Sequence, residues 1–512
     1  MADQHPYHLI GKVALAVSLA VLSACSQNQH YAYHDTSAYR YSSPVAVTPG
    51  EHYLAIEENS TKQVASDPVS TFSIDVDTAS YANVRRFINN GHLPPADAVR
   101  IEELVNYFDY EYAVPAESAT PFRMTAEIGP TPWNGGSYLL HLGIKGAESN
   151  LHAQPARNLV FLLDVSGSMN DENKLALIKK SLRLLVKQLT AQDSVAIVVY
   201  AGASGLVLPA TRGDRHRVIL NALDHLSAGG STNGGAGIEL AYAVARENLI
   251  EHGINRVILA TDGDFNVGPS SIKALKQLIK EKRRSGVALS ILGVGMGNYN
   301  DAMLEEISNA GDGNAAYIDT LQEAQKVLVH DINATLQTIA QDTKIQVEFN
   351  PAQVASYRLI GYENRLLNRD DFMNDRVDAG DVGAGHTVTA LYEITLNQPL
   401  RYANRIETEQ ANRDELAMVK IRYKHPNESR SEEIAQPIYR GTIQRQLSET
   451  SDDFRFSAAV AAFGQQLRNS DRVGNYSYDE TLILAQQSRG EDKFGYRSEF
   501  LQLVRLAKSL NK

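Results

Sequence analysis

From about residue 157 to 340, the apolar positions of this chain alternate between two patterns. Asn158 to Leu163 is a short apolar run, the mark of a strand buried on both faces. Leu175, Ile178, Leu182, Leu185 and Leu189 then recur every three to four residues, which is one face of a helix. The alternation continues, with strands predicted at 194–200, at an edge-like 205–210, and at 256–260, 287–294 and 315–318. Helices are predicted between them at 216–226, 238–249, 272–284, 302–310 and 321–339. Repeated strand–helix alternation implies an α/β domain: a doubly wound, mainly parallel sheet with helices on both faces.

Outside that span the pattern changes. Residues 71–95 read as a short strand, a helix capped by Thr78 or Ser80, and a Gly/Pro stop; a second helix follows at 100–108. Strands are predicted at 122–128 and 138–144, separated by the turn-rich GPTPWNGG, and after the α/β domain at 344–349, 356–360, 387–396 and 418–423. Neither group has a layer of its own to pack on. The two groups are therefore expected to pair into one β-sandwich, with the α/β domain inserted between them. The C-terminal end turns helical at 457–467, 478–487 and 499–510. Residues 26–68 are polar, show no sustained period, and are expected to form a flexible tether. The resulting partition is a leader at 1–24, a tether at 25–68, an N-terminal region at 69–156, the α/β domain at 157–340, and a C-terminal region at 341–512.

Composition changes this picture in two ways. The formal charge is −11, and the longest basic cluster, 280–284, closes a helix, so nucleic acid is excluded as a partner. The single cysteine, Cys25, follows a ten-residue apolar segment, 13–22, that is too short to span a membrane and has the length of a signal-peptide core. Leu22-Ser23-Ala24-Cys25 resembles the bacterial lipobox. That resemblance implies cleavage before Cys25 and its lipidation, with several acyl chains anchoring the protein to a membrane. Ser26 replaces the aspartate associated with inner-membrane retention. The expected location is the bacterial cell envelope, facing the periplasm, with the outer membrane favoured over the inner.

The candidate chemistry lies at the strand ends of the α/β domain. Asp164, Ser166 and Ser168 place three oxygen-bearing side chains at alternate positions after the first strand, with Gly167 allowing a tight turn. Thr232 sits in the flexible GGSTNGG, and Asp262 ends another buried strand. Hard oxygen donors on such loops suit Mg²⁺ or Mn²⁺, and ligands of open α/β sheets bind at the carboxyl ends of strands. The five positions, in this order, resemble the metal-ion-dependent adhesion site (MIDAS) of von Willebrand factor type A (VWA) domains. That resemblance implies Ser166, Ser168 and Thr232 as direct ligands, and Asp164 and Asp262 as ligands directly or through water. The cation would be Mg²⁺ first, with Mn²⁺ or Ca²⁺ as alternatives, and a partner protein's Asp or Glu carboxylate would complete its shell. Gly234 stands where many such domains carry a second threonine. Asp75 and Asp77 lack EF-hand spacing and are not expected to bind metal.

Longer strings narrow the resemblance. STFSIDVDTASYANVRRFINNGHLPP, GYENRLL with DFMNDRVDAGDVGAGHTVTALYE, and GEDKFGYRSEF are similar to the bacterial YfbK-type lipoproteins from about residue 66 to the end. No activity is implied by that likeness. Catalysis is not expected. Ser270 to Lys273 matches Ser-x-x-Lys without its partner motifs, and GVGMG at 293–297 falls short of a dinucleotide fingerprint. Asp262-x-Asp264-x-Asn266 lacks the glycine and final Glu of a calcium loop. The leading expectation is a metal-dependent protein-binding module. Its alternatives are a metal-independent scaffold or assembly factor for envelope complexes and, behind both, a periplasmic hydrolase.

Overall fold

The computed structural model describes residues 50–115, 120–148, 155–231, 234–263, 272–397, 414–426 and 428–511. The α/β domain is a six-stranded sheet in the order Ala315–Tyr317, Ala288–Gly293, Ile254–Thr261, Arg157–Asp164, Ser194–Tyr200, Ser204–Arg212. All pairs are parallel except the last, which is antiparallel and forms the edge. Arg157–Asp164 is buried at every position because it has a strand on each side and helices above and below. Its alternation divides the core. Leu159, Phe161 and Leu163 pack with Ile178, Leu182 and Leu185 of helix Leu175–Val186, whereas Val160 and Leu162 pack with Ile238, Ala241 and Tyr242 of helix Gly234–Glu247. Each large apolar side chain buried this way contributes about 1.5–3 kcal/mol.

The strands on either side of the α/β domain form one sandwich. Asn134–Gly146, before the insertion, pairs antiparallel with Thr387–Leu396, after it, from Ile394↔Tyr138 to Thr387↔Lys145. Phe122–Thr131 and Val354–Ile360 extend that sheet, with Lys62–Gln63 on its edge. In the facing sheet, Val69–Ser73 pairs with Thr338–Phe349, which also carries Glu415–Lys424. Side chains from both sheets share one core that includes Phe72, Leu142, Ile144, Ile345, Val388, Tyr392 and Ile421. A helical layer completes the body. Ala79–Asn89 and Ile101–Asn106 pack with Asp452–Leu467, Tyr478–Gln487 and Tyr496–Leu510 around Tyr81, Tyr107, Phe108, Phe456, Phe463 and Phe500. Among the described residues, no helix is long and apolar enough to cross a membrane.

Three expectations are corrected. The helix predicted at 321–339 is broken: Leu321–Gln325 runs into a wide turn in which Asp331 N donates to Lys326 O at 2.9 Å, and Ile332–Leu336 ends at an extended Gln337. Thr338 and Ala340 already pair with Gly383 and Val382, so the sheet ladder outcompetes helical continuation and the strand runs Thr338–Phe349. The polar stretch up to residue 68 is not all tether. Glu51 is clamped by Arg86 through two bonds of 2.9 Å, Asn59 donates to the carbonyls of Leu359 and Gly361, and Val64 enters the sandwich core. Such single polar anchors leave no period in the sequence. Finally, Gly380–Gly383 and Ser431–Tyr439 are additional strands; the second is a largely exposed edge without strict alternation. The leader, Cys25 and the rest of the expected tether lie outside the described residues.

Arginine–carboxylate groups hold the α/β domain to the rest. Arg85 bonds Asp319 and Glu323 of the α/β domain, Tyr107, and Glu499 of the last helix. Arg100 bonds Glu103 and Asp301. Arg365 bonds Asp75 at 3.1 Å, Asp77 at 3.4 Å and Glu305 at 3.2 Å, which gives Asp75 and Asp77 a structural role. Beside this cluster, Glu102 is buried with its Oε2 lacking a hydrogen-bond partner. Burial above all, with the nearby Glu363 and Asp75 carboxylates, pushes its carboxyl up to about 8 against the opposing charge of Arg468. Because that value lies above the 4.5 of a free glutamate, the native state holds the proton more tightly than the unfolded chain. The resulting stability is complete below about pH 4.5 and is lost as pH rises through about 8. Thermal unfolding should therefore show a higher midpoint at pH 6 than at pH 8. Glu102→Gln should reduce that difference, with Asp381, also pushed up to about 8, and Glu103, up to about 7, supplying the remainder, and should stabilise the protein at pH 8 by about 1–2 kcal/mol. An unchanged pH dependence in the variant would clear Glu102 of the effect.

Candidate metal centre

Asp164 is the last residue of the central strand, and Asp262 directly follows the neighbouring strand Ile254–Thr261, so parallel pairing sets them side by side. From the central strand the chain fills one side of the sheet and then returns to fill the other. The gap between these strands' carboxyl ends is thus the switch point where such sheets accept ligands. Both carboxylates have 0% relative exposure.

The loop that follows Asp164 folds back onto it. Asp164 Oδ1 accepts the Ser166 backbone N–H at 2.9 Å, which turns the chain so that Ser166 Oγ and Ser168 Oγ meet at 3.0 Å. Asp164 Oδ2 accepts from Tyr200 Oη at 3.0 Å and Thr261 Oγ1 at 3.2 Å, each from a flanking strand. The Ser168 hydroxyl also helps to hold the Asp262 carboxyl low. Gly167 N donates to Gly230 O at 3.0 Å and Gly229 N to Val165 O at 2.7 Å, which ties the segment before Thr232 to this loop. Thr232 itself lies outside the described residues, as do Asp264, Asn266 and Ser270. Asp164, Ser166, Ser168 and Asp262 are brought together.

Three further residues belong to the site and were not expected from the sequence. In the sequence Tyr200 is only a strand end, and its register opposite Asp164 is what delivers its hydroxyl. Lys174 Nζ donates to Asp262 Oδ2 at 2.9 Å and to Asn298 Oδ1 at 3.2 Å. No spacing announces these contacts, because Lys174 lies 88 residues from Asp262 and 124 from Asn298. The two carboxylates are held differently. Burial, with some repulsion from Asp262, raises Asp164 above the ordinary carboxylate range against the bonds from Ser166 and Tyr200. Burial pushes Asp262 the same way, but the bonds from Asn298 and Lys174, the Lys174 charge and the bond from Ser168 outweigh it and hold Asp262 low.

This donor set fits a hard divalent cation. Two buried carboxylates and two hydroxyls converge, with no thiol or imidazole among the contacts described. Among the described residues, no group of three or more His, Cys, Asp or Glu forms a cage, so an ion here depends on the serine hydroxyls.

The sheet order and this loop define a VWA domain, and the family model for the von Willebrand factor type A domain matches residues 158–335. A model described as von Willebrand factor matches 48–141, and one for the C-terminal part of the uncharacterized protein YfbK matches 334–510. The chain is 49% identical to YfbK of Escherichia coli (strain K12) over 469 residues, 89% of this chain and 80% of that protein. It belongs to the YfbK family. It is also 26% identical over 198 residues to inter alpha-trypsin inhibitor heavy chain 4 of Mus musculus, covering 36% of this chain and 21% of that protein. Among solved structures, a von Willebrand factor type A protein from Catenulispora acidiphila superposes with a TM-score of 0.42 at 15% identity, covering 76% of this chain and 91% of that one.

Tyr200→Phe should remove one of the two hydroxyls, those of Tyr200 and Thr261, that donate to the buried Asp164 Oδ2, and destabilise the metal-free protein by about 1–3 kcal/mol. Urea unfolding in chelator measures this, and an unchanged midpoint would show that the Tyr200 bond does not support Asp164.

Proposed function

We propose that this protein is an envelope-anchored adhesion module whose VWA domain uses a divalent cation to take a carboxylate from a partner protein. VWA domains are protein-interaction modules; the metal, the carboxylate and the anchor are our reading. The observation that carries it is the convergence of Asp164, Ser166, Ser168 and Asp262 at one edge of the sheet, with both carboxylates buried. Two such charges taken out of water are costly unless a cation compensates them. Ser166, Ser168 and Thr232 would hold the ion directly, with Asp164 and Asp262 bonding it directly or through water. Mg²⁺ suits this oxygen set best, and Mn²⁺ or Ca²⁺ would be accepted by the same donors. The ion supplies a positive seat for an Asp or Glu side chain. The protein's own part is to orient the hydroxyls through the Asp164–Ser166 turn, to fix Asp164 through Tyr200 and Thr261, and to shield the site from water. Lipidation of Cys25 would hold the module at the envelope, facing the periplasm and on the outer membrane in preference to the inner. We read the protein as non-enzymatic.

One observation favours a second reading, a scaffold that docks without metal: Lys174 already brings a cation to Asp262. Crosslinked co-purification from the native envelope separates the two. Wild type, Asp164→Ala and wild type in chelator are compared after circular dichroism has shown all three folded. A partner lost from both perturbed samples is expected. A partner retained in all three would transfer the function to the scaffold reading.

A further inference from the structure

We propose that Lys174 is a built-in counter-cation that keeps the resting site at low metal affinity, so that the metal and the partner's carboxylate bind as a pair. This inference rests on the metal-dependent reading above and concerns how that same site is regulated.

Lys174 is not a surface lysine in passing contact. It is buried immediately before helix Leu175–Val186, and its stem lies against Gly295, where an added Cβ would come within 2.5 Å of Lys174 Cε. Gly295 also has a φ of +82°, so the close approach and the turn both call for glycine there. The ammonium is aimed by two acceptors, Asp262 Oδ2 and Asn298 Oδ1. The loop carrying Asn298 is gripped from its far side. Glu51 Oε1 accepts the Gly297 N–H at 2.9 Å while Arg86 clamps both Glu51 oxygens, and His52 N donates to Tyr299 O at 3.1 Å. The position of Lys174 is thereby set by three separate stretches of chain.

Its charge decides which occupancy of the site is neutral. Among the described residues, Asp164 and Asp262 bring two negative charges to the resting site and Lys174 one positive, a sum of one negative charge. A divalent ion alone takes it to one positive, and the carboxylate of a partner returns it to zero. Without Lys174, the ion alone would neutralise the two aspartates and an arriving carboxylate would leave a negative excess. In a buried site, where screening is weak, such an excess is unfavourable. Lys174 therefore moves the best-compensated state from metal alone to metal plus carboxylate, and by linkage each ligand strengthens the other equally.

The test is a calorimetric Mg²⁺ titration of the full chain, with and without acetate as the carboxylate probe. The samples are wild type, Lys174→Met, Lys174→Arg and Asp164→Ala, each checked for folding by a melt. Lys174→Gln serves as a second neutral variant should Lys174→Met fail to fold. Lys174→Met should bind Mg²⁺ about tenfold or more tightly than wild type, Lys174→Arg should stay near wild type, and Asp164→Ala should give no binding heat. Acetate should tighten Mg²⁺ binding in wild type and have less effect in Lys174→Met. Equal or weaker Mg²⁺ binding in Lys174→Met would overturn the proposal and leave Lys174 as a brace for Asp262. Absence of Mg²⁺ binding in every sample, wild type included, would instead remove the metal-dependent reading and this inference with it.

Discussion

The pairing of Asn134–Gly146 with Thr387–Leu396 closes the chain around its VWA domain, and the placement of every other layer depends on it. Bringing these strands together closes a loop of roughly 240 residues, but loop entropy grows only with the logarithm of length, to about 5 kcal/mol beyond a constant. Against this stand Leu140, Leu142, Ile144, Val388, Ala390, Tyr392 and Ile394, all buried in the sandwich core. At about 1.5–3 kcal/mol for each large apolar side chain, a few of them offset the closure. Once the sandwich is closed, helices from both ends of the chain lie within reach of one another and of the inserted domain. The shared aromatic core of Tyr107, Phe108, Phe456 and Phe500 is a consequence.

Charge, more than apolar area, specifies how the inserted domain is held. Arg85, Arg100 and Arg365 each bridge carboxylates from different parts of the chain, deep enough that a misplaced partner would leave a buried charge uncompensated. Buried ion pairs contribute little net stability compared with apolar packing, but they tolerate few arrangements. The strings by which the sequence resembles the YfbK family meet through these pairs: Arg365 of GYENRLL reaches Asp75 and Asp77 of IDVD, and Arg85 of the first string reaches Glu499 of GEDKFGYRSEF.

What could be read from the sequence was what depends on local period. The buried strand–helix alternation of 157–336 is visible because each element repeats its own pattern, and the Asp164-x-Ser166-x-Ser168 spacing is visible because its geometry is contained in one turn. The sandwich followed from a topological need, since neither strand group had a layer to pack on. Reading failed where tertiary pairing overrides local pattern. Ile339 and Ala340 continue a helical phase, yet Thr338 and Ala340 are drawn into a ladder with Gly383 and Val382. Glu51 and Asn59 are isolated polar anchors in a stretch without period. At the site, Tyr200, Lys174 and Asn298 come into place only through strand register and loop docking, so Asp164 and Asp262 were legible while the groups that set their protonation and charge were not.

That division has a physical reason that bears on function. A ligand set can be compact in sequence because the ion is small and one turn presents most of its donors. The environment that determines how tightly those donors hold a cation is not compact, since electrostatic influence inside a protein extends across several side chains and arrives from whichever elements pack nearby. Here it arrives from the strand bearing Tyr200, from the start of a helix at Lys174, and from the Gly295–Asn300 loop that Glu51 and His52 grip on its outer side. The segment holding that loop directly follows the stretch expected to lead to the lipid anchor. Lys174, Asn298 and Glu51 therefore form one chain of contacts in which moving any member moves the charge beside Asp262. A VWA domain cut out at the ends of its own sheet would keep Asp164, Ser166 and Ser168 in their turn and lose the outer half of that chain, so the electrostatics of this site belong to the whole folded body.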